Sequence, residues 1–192
     1  VQALHEWVFI DTKNNIVSQI SADEIHPASE NTMLIKQSGM YGLLDNQLQV
    51  LTPIQYGRLE RYIPGLYIAR AGKKTGVITI NNTAAVPFKY DSLAAENGIL
   101  RARQNIEGWS LLTSENTSLT AKYYDWIGPE TDGLYPVINN HYWGAIDSKG
   151  SEVIHCIFDS LVQISGGLLV VKFKGSYGII NSSEDWIVAP QS

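Results

Sequence analysis

Six short apolar strands in this chain each open on an aromatic or β-branched residue, and successive openings lie 34 residues apart. The six opening residues are Trp7, Tyr41, Thr75, Trp109, Trp143 and Tyr177. A spacing that stays constant over the whole chain indicates one supersecondary unit copied in tandem. We therefore predict a single repeat domain over residues 1–192, built from six 34-residue units, with the first and last units incomplete or atypical.

The text of each unit is typical of β-strands cut by turns, because it shows no 3.6-residue periodicity long enough for a helix. Side chains that can cap a turn stand four residues after each opening: Asp11, Asp45, Thr79, Thr113, Asp147 and Asn181. Fifteen residues after an opening comes an aromatic, which we predict to be a core residue; these are Tyr56, Tyr90, Tyr124 and Phe158. The fold class is thus all-β, with two or three strands in each unit.

The arrangement of the units is open to two interpretations. Six full periods would need more residues than the 192 in the chain, so the first and last units could complete each other in a closed, propeller-like ring. An open, curved superhelix is equally compatible with the repeat. We predict the open array and keep the ring as the alternative.

The phrases at the openings resemble the WG β-repeat family of bacterial proteins. Trp143-Gly144-Ala145-Ile146-Asp147 and Tyr177-Gly178-Ile179-Ile180-Asn181 carry this resemblance, together with the recurring Pro-x-x-Tyr-Asp phrase. It extends over nearly the whole chain, and the family it points to is a scaffold class with no shared catalytic residues. Val8 and Ser110 stand where the pattern has glycine, so we expect the first and fourth units to differ locally. Thr75 replaces the aromatic in the third unit.

Composition excludes several classes of partner. The formal net charge is -5, so no global basic field favours nucleic acid. No stretch approaches the roughly 20 apolar residues that a membrane-spanning helix needs. The single cysteine, Cys156, cannot form an intramolecular disulfide. The chain opens on Val1 instead of Met, which fits either a removed signal peptide or a trimmed chain, and we expect a periplasmic or secreted protein slightly more than a cytoplasmic one.

The sequence shows no convergent catalytic or metal-binding set. The histidines His5, His26, His141 and His155 do not follow the spacing of metal ligands. His155 and Cys156 are neighbours, but adjacent side chains on a strand point to opposite faces, so we predict that they form no dyad and that Cys156 is a packing residue. We predict no cofactor, no metal and no enzymatic activity.

The fourth unit contains the clearest departure from the repeat. Arg101 and Arg103 stand at the phase where other units place pairs such as Tyr67 and Ala69. Buried arginines need partners, so we expect either an internal ion pair, with Glu107 or a neighbouring Asp, or a binding site. The candidate site also includes Tyr123, Trp126, Glu130 and Asp132.

A second candidate is the run Arg58, Glu60, Arg61 and Tyr62, which we interpret as filling a loop. The fifth unit has only the uncharged stretch 160–164 in the same loop. Loops along one edge of a repeat array are common sites of partner contact. A mixed charge run is also compatible with a simple solvated loop.

These observations favour a non-enzymatic scaffold that binds another protein. A specific version is a bacterial immunity protein, in which an acidic surface covers the basic active site of a toxin or effector. The alternative is a cell-envelope or carbohydrate-binding module that uses rings such as Trp109 and Trp126. An enzyme would require a deep pocket that places Arg101 beside a perturbed carboxylate. The oligomeric state does not follow from the sequence.

Overall fold

The computed structural model describes residues 5–29, 31–164 and 166–191, and these residues form an all-β structure, as predicted. They contain no α-helix and one 3₁₀ turn at Asn105–Glu107. The chain divides into two compact units, Val1–Tyr90 and Asp91–Ser192, here called unit 1 and unit 2. The prediction of a single domain stays a prediction, and each unit is described by itself.

The described residues of unit 1 form ten strands in three antiparallel sheets. The strands are β1 (His5–Ile10), β2 (Ile16–Ala22), β3 (Glu24–Ser29), β4 (Thr32–Gln37), β5 (Met40–Asp45), β6 (Val50–Tyr56), β7 (Arg58–Ile63), β8 (Leu66–Ala71), β9 (Lys74–Thr79) and β10 (Ala84–Tyr90). Sheet 1 pairs β1 with β2, sheet 2 has the order β3-β4-β5-β6, and sheet 3 has the order β7-β8-β9-β10. Each strand therefore pairs with its neighbour in the sequence.

Unit 2 contains eleven strands among its described residues, again in three antiparallel sheets. They are β11 (Ser92–Glu96), β12 (Ile99–Gln104), β13 (Gly108–Leu112), β14 (Trp126–Ile127), β15 (Leu134–Asn139), β16 (Tyr142–Asp147), β17 (Glu152–Phe158), β18 (Ser160–Ile164), β19 (Leu168–Phe173), β20 (Ser176–Asn181) and β21 (Trp186–Val188). Sheet 4 is β11-β12-β13, sheet 5 is β14-β15-β16-β17 and sheet 6 is β18-β19-β20-β21.

The sheets keep the 34-residue period, but each begins half a repeat after an opening residue. Their first residues are Glu24, Arg58, Ser92, Trp126 and Ser160. An opening residue lies on the third strand of its sheet, and the hairpin of the second and third strands is the antiparallel turn expected from the sequence. A full sheet thus has four strands, whereas two or three strands were predicted for each 34-residue repeat.

The first strand of sheets 3 and 6 was missed, and in sheet 3 its charges disguise it. Arg58–Ile63 and Ser160–Ile164, both interpreted as loops, are strands β7 and β18. In β7 only Leu59 is fully buried, and the charged residues lie on its more exposed positions. Edge strands tolerate such charges because they discourage pairing with other chains.

The residue four places after each opening caps a turn, as predicted, in all six cases. In sheet 5, for example, Asp147 Oδ1 accepts hydrogen bonds from the backbone N–H groups of Lys149 at 2.9 Å and Ser151 at 2.8 Å. The side chains at the other five positions also accept backbone N–H groups of the turn that follows, although Thr79 does so only from Thr83; these positions are Asp11, Asp45, Thr79, Thr113 and Asn181.

The glycine after the opening residue is required because the fourth strand passes directly over it. A Cβ built on Gly144 would lie 2.5 Å from the Ile154 carbonyl oxygen, and one on Gly76 would lie 2.6 Å from that of Val86. These distances are shorter than real Cβ contacts, so any other residue would push the strands apart. Glycine at this position therefore allows the shift in register between the third and fourth strands that occurs next to it in the four-stranded sheets.

The 34-residue repeats that lack this glycine differ locally from the others, which confirms the sequence prediction. Ser110 replaces it in sheet 4, where the fourth strand is reduced to two isolated bridges, Trp109 with Tyr124 and Leu112 with Ser118. Val8 replaces it in sheet 1, where β1 and β2 pair without a shift from residue 5 to residue 9.

Hydrophobic cores lie between successive sheets within each unit. In unit 1, Leu43 and Tyr56 of sheet 2 pack with Tyr67 and Ile78 of sheet 3. In unit 2, Phe158 of sheet 5 belongs to the same buried cluster as Leu169 of sheet 6. The predicted core aromatics Tyr56, Tyr90, Tyr124 and Phe158 are all at most 5% exposed.

No sheet of the described residues closes on itself. The choice between an open array and a ring concerns the arrangement of the two units and stays a prediction. Among the described residues, no helix is long and apolar enough to cross a membrane.

Candidate protein-binding surface

Two ends of the sheets must be distinguished to locate the candidate residues. We call the opener end the end where the opening residue pairs with the core aromatic of the fourth strand, as Trp143 pairs with Phe158. The opposite end carries the turn between the first and second strands, for example between Glu96 and Ile99.

Arg101 is engaged in an internal network at the opposite end of sheet 4. Its Nε lies 3.3 Å from Glu96 Oε2, and its Nη1 donates to the Ile127 carbonyl oxygen at 3.1 Å. The side chain is only 14% exposed. The internal pair considered from the sequence therefore exists, but its partner is Glu96 instead of Glu107 or an Asp.

Glu130 joins the same network in unit 2. The Glu96 carboxylate also accepts the Glu130 backbone N–H at 2.9 Å, and Glu130 Oε2 accepts from Asn97 Nδ2 at 2.6 Å. These contacts connect sheet 4 to sheet 5. Asp132 lies nearby in the turn before Gly133, exposed and with a positive φ of 48°. Arg101 and Glu130 therefore both have internal partners, and their part in binding stays a prediction.

The phase assigned to Arg101 and Arg103 was wrong by one residue. Sheet 3 has a register shift between Arg61 and Ile63, whereas sheet 4 pairs without a shift up to Glu96. Sheet 4 is one residue shorter at this point, and a slip of one residue moves every side chain to the other face. Leu100 and Ala102, both 0% exposed, consequently occupy the positions of Tyr67 and Ala69.

Arg103 then falls at an outward position that is commonly basic. It pairs with the opening residue Trp109, just as Lys36, Arg70 and Lys172 pair with theirs. Arg103 is exposed and lies nearer the opener end, two residues along β12 from Arg101. The two arginines therefore share a face of the strand, with Arg101 held by internal partners and Arg103 exposed.

The second predicted cluster lies in unit 1, on strand β7 rather than a loop. Arg58 and Glu60 pair with each other through Nε and Oε1 at 2.7 Å. Arg61 is exposed, and Tyr62 is half-buried.

The tryptophans that motivated the carbohydrate alternative are half-buried. Trp109 packs against the core cluster around Leu111. The Trp126 ring lies against Gly128 and Pro136, close to where a Cβ on Gly128 would stand, and it meets Trp143 edge-on at 5.6 Å between ring centres. These two rings do not form the flat exposed platform that sugar stacking requires. The alternative stays a prediction without their support.

The opener end of unit 2 exposes a set of large apolar side chains that we call the aromatic edge. It consists of Tyr123, Tyr142, Ile157 and Tyr177, which are 44%, 48%, 47% and 65% exposed. Tyr123 precedes Tyr124, which bridges to Trp109 of sheet 4, whereas Tyr142 and Ile157 lie on sheet 5 and Tyr177 lies on sheet 6. Of these four, sequence reasoning assigned only Tyr123 to a binding surface.

A shallow cleft of about 250 Å³ lies within the aromatic edge. Tyr142 and Ile157 of sheet 5 form one wall, and Phe173 and Lys174 of sheet 6 form the other. Phe173 contacts the buried Phe158 at 5.9 Å between ring centres, which fixes the second wall to the core. The arrangement offers an apolar recess with a cationic and an acidic rim, since Asp159 also lines it.

The aromatic edge had a sequence signal that phase comparison could have found. The position fourteen residues after an opening is Ser21, Gln55 or Lys89 in unit 1, whereas in unit 2 it is Tyr123, Ile157 or Gln191. This position is solvent-facing on the fourth strand. A change from polar to large apolar at an outward position marks a contact surface.

Charge separates the two units. Residues 91–192 carry twelve Asp and Glu against six Lys and Arg, a net charge of −6, whereas residues 1–90 carry seven against eight. The acidic character predicted from the whole chain is therefore a property of unit 2.

The groups in and near the cleft are not activated for nucleophilic chemistry. Burial, with a smaller contribution from Glu152, raises the pKa of the Cys156 thiol to about 11. His155 points away from Cys156 and pairs with Glu184, as expected for neighbours on a strand. Burial likewise raises the pKa of Tyr124 to about 12. Among the described residues, no group of three or more His, Cys, Asp and Glu side chains is placed to hold a metal.

The His155–Glu184 pair links sheet 5 to sheet 6 and should make unit 2 pH-sensitive. Its Nδ1–Oε2 distance is 2.5 Å, and the hydrogen bond to Glu184 raises the pKa of His155 above 6.5. A raised pKa means that the stabilisation is complete below pH 6.5 and is lost as the pH rises through the folded-state value. Because the pair is exposed, the effect should be less than about 1 kcal/mol.

We expect His155→Gln to lower the thermal unfolding temperature at pH 5.5 and to leave it unchanged at pH 9. Differential scanning calorimetry at both pH values provides the measurement, with His141→Gln, at an exposed position, as the matched control. Equal destabilisation at the two pH values would mean that the ion pair does not carry the effect.

The fold and surface together define an all-β repeat scaffold with antiparallel sheets and an exposed apolar edge. Residues 143–176 match the family model described as WG containing repeat. This segment therefore carries a WG repeat, which confirms the resemblance seen in the sequence over that stretch. The matched segment spans one full period, from one opening to the residue before the next.

Three solved structures illustrate what the chain is similar to. They are the computationally designed Ika8 protein (11% identity, 91% of this chain, 64% of that chain, TM-score 0.44), the WD40 β-propeller domain of Doa1 (10%, 88%, 69%, 0.38) and Hsv2p of Kluyveromyces lactis (10%, 88%, 65%, 0.46). The chain spans about two thirds of the length of each. A search of curated proteins found no match to the sequence.

Proposed function

We propose that this β-repeat scaffold is a non-enzymatic protein that binds another protein through the aromatic edge of unit 2. The observation that carries the proposal is the exposure of Tyr123, Tyr142, Ile157 and Tyr177 at the same end of three successive sheets. Tyrosine and other large apolar residues supply much of the binding energy in protein interfaces. Exposure of these apolar side chains to water is unfavourable, so their burial against a partner is favoured.

The surrounding charge indicates the kind of partner. With a net charge of −6, unit 2 would attract a basic surface and accelerate its association. The specific version of the proposal is therefore an immunity role, in which the aromatic edge docks on a toxin or effector and the acidic surroundings cover its basic active site. This version rests on charge complementarity and on analogy with other neutralising proteins.

The test is binding to the product of the adjacent gene, measured by co-purification and isothermal titration calorimetry. We expect the double variant Tyr142→Ser, Ile157→Ser to weaken binding at least 100-fold, because interface hot spots cost about 2 kcal/mol or more each. Val17→Ser is the matched control, since Val17 is 61% exposed but lies in unit 1. Unchanged affinity in the double variant would place the interface elsewhere.

A further inference from the structure

Sheet 3 is a basic sheet in an acidic protein. Residues 58–90 contain six Lys and Arg and a single acidic residue, Glu60, although the whole chain has a net charge of -5. This concentration of charge lies in unit 1 and has no role in the surface described above. A basic patch of this kind favours an anionic partner.

Five of the basic residues lie at the opener end of sheet 3, including Lys74 beside the opening residue Thr75. Arg58 on β7 is directly opposite Arg70 on β8, and Lys73 stands in the turn that follows. Lys89 precedes Tyr90, which pairs with the opening residue of this sheet. Arg70, Lys73 and Lys89 are exposed.

Arg58 and Arg70 have only one carboxylate partner between them among the described residues, which is Glu60. Like charges directly opposite each other on a sheet are destabilising. Glu60 neutralises Arg58 by a two-point contact, Nε to Oε1 at 2.7 Å and Nη2 to Oε2 at 2.5 Å. Within the described residues, Arg70 has no carboxylate partner. A ligand carboxylate would complete the alternation of charge.

A cleft beside these arginines has the shape for such a ligand. It has a volume of about 390 Å³ and lies between sheets 2 and 3 of unit 1. Leu34, Tyr41 and Leu59 supply its apolar wall, and Arg58 and Arg70 supply its cationic side. A peptide segment that carries an apolar side chain next to an anionic one would fit both the apolar wall and the cationic side of the cleft.

We propose that this cleft binds an acidic segment of a partner protein, with a Glu or Asp carboxylate on Arg70 and an adjacent apolar side chain against Tyr41 and Leu34. Arginine favours this geometry because its planar fork can hold both carboxylate oxygens. Glu60 in the cleft disfavours a multiply charged phosphate or a nucleic-acid backbone, and the apolar wall would contribute nothing to either. The site is independent of the aromatic edge.

The test uses a fluorescein-labelled six-residue peptide that alternates Glu and Leu, followed by fluorescence anisotropy at low ionic strength. We expect binding that Arg70→Gln weakens at least tenfold and that replacing Glu by Gln in the peptide abolishes. Lys13→Gln, the same charge change in the exposed β1–β2 turn, should leave the affinity within twofold. The variant Tyr142→Ser, Ile157→Ser should also bind normally, which separates this site from the proposed function.

Four outcomes would overturn the proposal. The first is no binding of the peptide, and the second is equal weakening by Arg70→Gln and Lys13→Gln. The third is displacement of the labelled peptide by inorganic phosphate at a lower concentration than by the unlabelled peptide. The fourth is tighter binding of a single-stranded oligonucleotide than of the peptide. Because Arg70 is exposed, the Arg70→Gln protein should unfold at the wild-type urea midpoint, which confirms that a lost signal reflects the site.

Discussion

Gly144→Val is expected to lower the free energy of unfolding by about 2–4 kcal/mol, at or above the usual cost of overpacking. A Cβ at this position would lie 2.5 Å from the Ile154 carbonyl oxygen and 2.9 Å from the Cys156 backbone nitrogen. Both neighbours are backbone atoms of β17, so they cannot move without breaking the pairing of β16 and β17. Urea unfolding followed by circular dichroism measures the change.

Gly57→Ala is the matched control for this variant. A Cβ on Gly57 would find only the Arg70 carbonyl oxygen, at 3.9 Å, which is ordinary contact. We expect it to change stability by less than about 0.5 kcal/mol, as is usual for substitutions away from special sites. Similar losses in both variants would show that chain entropy, not close approach, explains the glycine of the repeat.

Arg101→Met is expected to cost about 3 kcal/mol of stability, because it leaves Glu96 partly buried without its cation. The side chains of Arg101 and Glu96 are 14% and 30% exposed, and Arg101 also donates to the Ile127 carbonyl oxygen. The loss should therefore appear in the urea midpoint of the free protein.

The double variant Arg101→Met, Glu96→Met tests the reason for this loss. Replacing both partners by apolar residues removes the uncompensated charge, so part of the stability should return. Lys149→Gln, at an exposed turn, serves as the control. If Arg101→Met left stability unchanged but abolished partner binding, Arg101 would be a binding residue, as the second interpretation of the sequence held.

The periodic features of the fold could be predicted because the repeat imposes them. The six openings, the turn caps such as Asp147 and the core aromatics such as Phe158 follow directly from residue type and phase. The local differences at Val8 and Ser110 also followed, since a missing glycine has one physical consequence wherever two strands approach closely.

The site was harder to predict because it depends on register and on sheet boundaries. A one-residue difference near Asn97 and Gly98 reversed the faces assigned to Arg101 and Arg103. The strand Arg58–Ile63 was hidden by its charges. Tyr142 and Ile157 were overlooked because apolar residues in a β-repeat are first assigned to the core, although Ile157 stands at a phase where the first three repeats have polar residues.

Hydrogen–deuterium exchange of the complex with the adjacent gene product tests the central claim most directly. We predict that partner binding protects three short segments of unit 2, around Tyr123, around Tyr142 and Ile157, and around Tyr177. Protection confined to other segments, or exchange that does not change when the partner is bound, would contradict the assignment of function to the aromatic edge.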